Sequence, residues 1–150
     1  MSWITLTESN LATYQAGKLV DAMKTKARAE GQENPLPDAV RIVVAKIRGA
    51  IKAGGYSCDK DAGKIPAELE RDALALIVAV AKPRLTLELK DDEKTANLKA
   101  LELLDKIAAG DFDVSIPENP ESVPTTQNSG GCALVRPARG VPQRSDFNGL

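Results

Sequence analysis

The chain contains no histidine among its 150 residues. This absence removes the commonest general base, the commonest metal ligand and every Ser/His or Cys/His nucleophile arrangement. The two cysteines, Cys58 and Cys132, form no CxxC pair and are too few for a disulfide framework or a zinc site. We therefore expect reduced thiols, no metal, no cofactor and no enzymatic constellation of the common kinds.

Aromatic residues and long apolar runs are also scarce. Aromatic side chains make up 3% of the chain, so the residues on which nucleic-acid bases usually stack are scarce. The longest apolar run, Ala73 to Ala81, is nine residues, about half of the roughly 18 to 20 that a membrane helix needs. The first residues, MSWITLTESN, lack a basic region followed by an apolar one, so the sequence predicts neither a signal peptide nor a membrane partner.

Two helices are predicted in the first half of the chain. The first covers Leu6 to Glu30, with Thr7 as its N-cap and Asn10 three residues later, and it stops before two prolines in GQENPLP. The second covers Asp38 to Ala53 and is closed by two glycines. Its apolar residues recur at helical spacing and define one buried face: Val40, Val44, Ile47 and Ile51.

Two further helices are predicted up to Gly110. The third begins at Ile65-Pro66, and its middle is apolar on all sides, which predicts a central helix or one covered by a partner. We expect it to kink at Pro83 and continue to about Leu89, in preference to a short extended piece, RLTLEL. The fourth begins near Asp91 and ends at Gly110. Its predicted apolar face consists of Leu98, Leu101, Leu104 and Ala108.

The composition changes after the fourth helix. Residues 111–150 contain five prolines and four glycines, and apolar residues become scattered. No independent core is expected there. The sequence therefore predicts an all-α fold: a small four-helix domain over 1–113, followed by a long extended C-terminal arm over 114–150.

Carboxylate pairs offer little chemistry. Asp59 and Asp61 form a D-x-D pair, and Glu70 follows Asp59 at the spacing of a calcium-binding loop, but the position that needs glycine is Lys64. We interpret this segment as a solvated turn.

One set of basic residues could have a function. Arg41, Arg48 and Lys52 fall at i, i+7 and i+11 on the second helix and predict one basic stripe. Residues 18–64 carry ten basic and six acidic side chains, whereas residues 65–113 carry seven and eleven. The stripe could be a solvated face, a contact with DNA phosphates, or a contact with the acidic part of a neighbouring copy.

The order of segments resembles the small helical head–tail connector, or adaptor, proteins of tailed bacteriophages, particularly the Mu-like group. AVRIVVAKIRGAIKAGGY (39–56) resembles their second helix, IPAELERDALALIVAVAKPRL (65–85) their proline-led apolar helix, and LKALELLDKIAAGDFDV (98–114) their closing helix. The terminal VPQRSDFNGL is similar to the family's tail. The usual tyrosine of the last helix is absent.

The resemblance implies a structural, non-enzymatic protein of the virion neck, made in the host cytoplasm. It implies a homo-oligomeric ring, commonly of twelve copies, that binds the portal protein and a tail-side neck or tail terminator protein and lines the channel for genomic DNA. We expect the C-terminal arm to contact the portal or a neighbour through Val135, Arg136, Arg139, Val141, Arg144, Phe147 and Leu150. The alternative function is a small helical nucleic-acid-binding regulator that uses the basic stripe.

Overall fold

A computed structural model describes residues 2–14, 18–29, 31 and 33–122, and it is mostly helical, with 63% of these described residues in helices. These ranges hold five α-helices where the sequence predicts four, because the first predicted helix corresponds to α1 and α2; residues 15–17 between them lie outside the described ranges. The helices are α1 (Glu8–Tyr14), α2 (Lys18–Ala29), α3 (Leu36–Ala53), α4 (Glu70–Arg84) and α5 (Asp91–Ala109).

Helix α1 begins where its capping residue predicts. The side-chain oxygen of Asn10 accepts a hydrogen bond from the backbone N–H of Thr7 at 3.1 Å, and the Thr7 carbonyl accepts the N–H of Asn10. This exchange satisfies polar groups at the start of the helix. The Asn10 amide also donates to Glu70 at 2.7 Å, which joins the start of α1 to the start of α4.

A two-stranded antiparallel sheet occupies the place where the third helix was predicted to begin. Strand β1 (Trp3–Thr5) pairs with β2 (Lys64–Pro66), with Ile4 opposite Ile65. The prediction of helix at Ile65-Pro66 is therefore wrong. The proline disfavours helical geometry at the residue before it, so Ile65 is extended and free to pair with β1. One turn of 3-10 helix, Ala67–Leu69, then leads into α4.

Helix α4 is the centre of the molecule. Six consecutive residues, from Ala73 to Val78, are buried, so no side of this stretch faces water. Helices α1, α3 and α5 all contact it. The all-round apolar pattern thus predicts its position correctly, because such a helix is stable only when other elements cover it.

The end of α4 differs from the prediction. The helix includes Pro83 but stops at Arg84, so the predicted continuation to Leu89 is wrong. The N–H groups of Leu85 and Leu87 both bond to the Lys82 carbonyl, and Thr86 between them has a φ of +54°. This turn buries Leu85 completely, and that contact with the core outweighs one more helical turn.

Helix α5 ends at its predicted glycine but buries a different face. Gly110 adopts the left-handed conformation, with a φ of +81°. Leu98 is 60% exposed, so its predicted place in the core is wrong, whereas Leu104 is buried. The buried face follows Glu93, Ala100, Leu104 and Ile107, which recur at helical spacing and turn Leu98 outward.

Helices α3 and α5 approach closely at Gly54. A β-carbon on Gly54 would lie 2.1 Å from the Ile107 carbonyl oxygen, which no side chain can accommodate. The glycine therefore does more than close α3: it lets the end of one helix lie against the backbone of another.

Candidate functional site

The predicted basic stripe on α3 is divided by the fold. Arg48 is 8% exposed and donates to three backbone carbonyls, those of Asp59 at 2.7 Å, Asp61 at 2.9 Å and Lys64 at 3.1 Å. A guanidinium has five N–H donors in a rigid fork, which suits it to hold several carbonyls of one loop. The expectation of three exposed cations in one stripe is therefore wrong for Arg48.

Sequence spacing contained a signal for this burial. Arg48 follows Val44 by four residues, which places it about 40° around the helix from a buried position. It also precedes the buried Ile51 by three residues. An arginine set among the residues of an apolar face is better interpreted as an interior donor than as a surface charge.

Arg48 also joins the N-terminal strand to the C-terminal segment. Its guanidinium lies 6.0 Å from the centre of the Trp3 ring, within the range of a cation–π interaction. The Trp3 indole N–H donates to the Ser115 carbonyl at 2.9 Å. Glu68 accepts the backbone N–H of Ser115 at 2.8 Å. Trp3 thus contacts both the buried cation and the segment after α5, and Glu68 binds that segment as well.

Arg41 lies at the N-terminal end of the same helix and is exposed. Its guanidinium and that of Arg84 both contact the carboxylate of Asp38, with Arg41 at 2.6 Å. The hydrogen bonds from Arg84 and then Arg41 lower the pKa of Asp38. This cluster joins the start of α3 to the end of α4 at the surface, where ion pairs contribute little to stability.

Lys52, at the C-terminal end of α3, binds the segment that follows α5. Its ammonium lies 2.9 Å from a carboxylate oxygen of Glu121, and the Arg48 guanidinium lies 3.9 Å from the same oxygen. The hydrogen bond and charge of Lys52 lower the pKa of Glu121. Two members of the predicted stripe therefore converge on one acidic side chain of their own molecule.

Residues 114–122 form a strap across the loop that follows α3. The Asn119 carbonyl accepts the N–H of Lys60 at 2.9 Å, and the N–H of Glu121 donates to the Cys58 carbonyl at 2.7 Å. Val114 and Pro117 are buried. The predicted boundary between domain and arm, 113/114, coincides with the start of this strap, and backbone groups of the loop find their partners in it.

A groove of about 660 Å³ runs along the outer face of α3. Its lining is mainly apolar and includes helix residues from Pro37 to Lys52, with Arg41 about one turn after Pro37. We call it the α3 groove. Thr5 at the end of β1 and the loop residues Ala62 and Gly63 also line the groove, together with Ala45 and Gly49 of the helix.

A buried ion pair that the sequence analysis missed joins α4 to α5. Both carboxylate oxygens of Glu93 lie 2.6 Å from the Lys82 ammonium, and each side chain is 6% exposed. Glu93 also accepts the backbone N–H of Lys90 at 2.9 Å. The available signal was the position of Lys82, directly after nine apolar residues. The pair fixes where the end of one helix meets the start of the next.

The remaining chemical candidates have structural roles. Asp59 accepts the backbone N–H of Asp61 at 2.9 Å, as in a turn, but Asp59 is 3% exposed, so the interpretation of a solvated turn is wrong for this residue. Cys58 is buried, and burial raises the pKa of its thiol. Within the described residues, no group of three or more Cys, Asp or Glu side chains could hold a metal ion.

The predicted contacts of the C-terminal arm all fall after Ser122. Val135, Arg136, Arg139, Val141, Arg144, Phe147 and Leu150 lie outside the described residues. Among the described ranges, no helix combines the length and hydropathy needed to cross a membrane.

Comparison of the chain with protein-family profiles, curated proteins and solved structures finds no match in any of the three.

Proposed function

We propose that this protein is a structural head–tail connector of a tailed-phage virion. In this proposal, copies of the chain form a ring between the portal and the tail, and the ring extends the DNA channel. Support comes from the three segments that carry the family resemblance, 39–56, 65–85 and 98–114. They contribute α3, α4 and α5, which pack together around one core.

The observation that carries the proposal is the way the C-terminal segment leaves the folded body. The strap is held by backbone bonds to Cys58 and Lys60 and by the ion pair of Glu121. The described chain therefore ends at a defined point beside α3. A long segment with sparse apolar anchors, attached at a fixed point, is well suited to bind a neighbouring protein along its surface.

Exposed apolar side chains give the folded body its own contact points. Ile116 in the strap is 82% exposed and Leu98 on α5 is 60% exposed. Single exposed apolar residues are common on monomers, so these two side chains matter for the proposal only if copies of the chain assemble. In the proposed ring they contribute to contacts between copies, which must bury apolar surface to be stable.

The first experiment measures binding of the full chain to the portal protein encoded in the same genome. The double variant Phe147→Ala/Leu150→Ala removes two proposed anchors and should weaken binding at least about tenfold, as loss of buried apolar anchors does. The matched control is Gln143→Ala/Asn148→Ala, which changes polar residues of the same segment and should bind like the unmodified chain. Equal binding by both double variants would contradict the proposed contacts.

Location in the particle tests the proposal as a whole. Mass spectrometry of neck complexes from purified virions should detect the chain together with portal protein, and electron microscopy should show a ring. Absence of the chain from infectious particles would overturn the proposal.

Binding to duplex DNA separates the connector from a nucleic-acid-binding regulator. Each phosphate that a protein neutralises contributes about −0.9 to the slope of log K against log salt. Arg48 is buried and Lys52 is engaged by Glu121, so we expect the unassembled chain to bind duplex DNA weakly and with a shallow slope. Tight binding with a steep slope would favour the regulator instead.

A further inference from the structure

The α3 groove has room for a chain segment and a position built to keep it open. Gly49 lies four residues before the C-terminal end of α3, and a β-carbon added there would meet no atom of the described residues within 4 Å. Glycine inside a helix is less favourable than alanine. No described neighbouring atom would clash with a side chain at this position, so the glycine leaves space beside the helix. That space is part of the groove.

The distance between the two cations that line the groove matches a short extended segment. Arg41 and Lys52 are eleven residues apart on the helix, which corresponds to roughly 16 Å at about 1.5 Å per residue. Extended chain advances about 3.3 Å per residue. About five residues therefore span the groove from one cation to the other.

The described chain arrives at one end of this groove. Glu121 is bound by Lys52, and both Lys52 and Arg48 line the groove. The next residues are Val123 and Pro124, followed by two threonines, glutamine and asparagine. Valine and proline suit a mainly apolar floor. Proline also lacks an N–H that would need an acceptor, and a helix uses its own carbonyls internally.

We propose that residues 123–128 of the same chain lie along the α3 groove, running from Lys52 towards Arg41. A segment tethered at Glu121 has an effective concentration in the millimolar range, which favours it over a second copy at micromolar concentration. The remaining residues, including those proposed to contact the portal, then leave near Arg41. This inference stands without the proposed function, since it needs only the groove and the tether.

Disulfide cross-linking in the full chain tests the proposal. The Ala45→Cys/Thr125→Cys variant, in a Cys132→Ser background, places one thiol in the groove and the other where three to four extended residues from Glu121 reach it. Cys58 stays in place because it is buried. Oxidised glutathione should close an intramolecular disulfide, which mass spectrometry detects, because a disulfide requires α-carbons within about 7 Å.

The matched control moves one thiol out of the groove. Lys46 is exposed and adjacent to Ala45 in sequence, but it does not line the groove. The Lys46→Cys/Thr125→Cys pair should cross-link at least about tenfold more slowly. Adding Gly49→Gln to the Ala45 pair fills the groove without a clash and should lower its rate to that of the control, whereas Gly49→Ala should have a small effect.

Three results would overturn the inference. Equal rates for the Ala45 and Lys46 pairs would show that the segment does not enter the groove. Disulfide-linked dimers in place of linked monomers would show that a second copy occupies it. An unchanged rate in the Gly49→Gln variant, with a circular dichroism spectrum like that of the unmodified chain, would show that the space beside Gly49 is not used.

Discussion

At the scale of single residues, Arg48 shows how a charged side chain can serve the interior of a small helical protein. It binds three carbonyls of the loop after α3 and lies against Trp3. The loop has little regular structure between Gly55 and Lys64, so its polar backbone groups need partners from elsewhere. Arg48 supplies them, which explains why an arginine occupies a buried position.

Replacing Arg48 should therefore cost far more stability than replacing Arg41, which is exposed on the same helix. We expect Arg48→Ala to lower the free energy of unfolding by about 3 kcal/mol or more, since several charge-assisted hydrogen bonds are lost and their acceptors stay largely buried. Arg48→Lys should recover only part, because an ammonium lacks the fork. Urea unfolding measures both, with Arg41→Ala as the control, expected within about 0.5 kcal/mol. Similar losses at both positions would contradict the interior role.

The buried pair of Lys82 and Glu93 makes a second prediction at this scale. Lys82→Met should lower the free energy of unfolding by about 3 to 5 kcal/mol, because it leaves a buried carboxylate without its partner. Adding Glu93→Gln removes that charge while keeping an acceptor for Lys90. The double variant should therefore be more stable than Lys82→Met alone. A double variant that is less stable than the single one would refute this account.

At the scale of elements, the strap belongs to the folded body. Two chains that end at different places test this. A chain ending at Asn128 keeps the strap and the segment proposed for the α3 groove, and it should unfold within about 1 kcal/mol of the full chain. A chain ending at Ile116 loses the buried Pro117 and the bonds to Cys58 and Lys60, and we expect it to be less stable by about 2 to 3 kcal/mol at roughly 1 kcal/mol per hydrogen bond plus the lost burial. Equal stability in urea would place the strap outside the cooperative unit.

The central position of α4 predicts a contrast along that helix. Ile77 is 1% exposed, so Ile77→Asp buries an unpaired charge and should lower the free energy of unfolding by several kcal/mol. Val80 is half-buried, so an aspartate side chain introduced at this position can reach water. Val80→Asp should therefore have a smaller effect in the same thermal and urea experiments. If both variants melt like the unmodified chain, α4 is not the centre of the core.

At the scale of the whole molecule, stability should depend on acid pH with a definite sign. In the folded state, Arg84 and Arg41 lower the pKa of Asp38. Lys52 lowers the pKa of Glu121. Their contribution is present above their unfolded pKa values, near 4, and is lost as pH falls through the folded ones. Burial raises the pKa of Asp72, so protonation of Asp72 opposes this loss.

Melting temperatures at pH 5 and pH 3 check these signs. The unmodified chain should melt lower at pH 3. Asp38→Asn should show a smaller drop, because its contribution no longer titrates. Asp72→Asn should show a larger drop, because the opposing group has been removed. Drops of the same size in all three proteins would mean that these carboxylates do not govern acid stability.

Local sequence was sufficient to predict the helices in which the start and stop residues agree with the apolar periodicity. Helix α3 was predicted to within two residues at its start, and α5 ends at Gly110 as expected. The burial of α4 followed from its unbroken apolar run. These features depend on contacts within one or two helical turns and on the general preference of apolar side chains for the interior, so they can be derived without knowing the partner elements.

Long-range contacts decided the rest. Strand β1 pairs with β2 about sixty residues later along the chain, and the strap returns to the loop after α3 from a comparable distance. No local pattern specifies which distant backbone groups form hydrogen bonds with each other. The same is true of Arg48 and Lys82, whose charges look like surface residues until their partners, loop carbonyls and a carboxylate on the next helix, are brought to them. A buried cation is stable only with such partners, and tertiary structure alone supplies them.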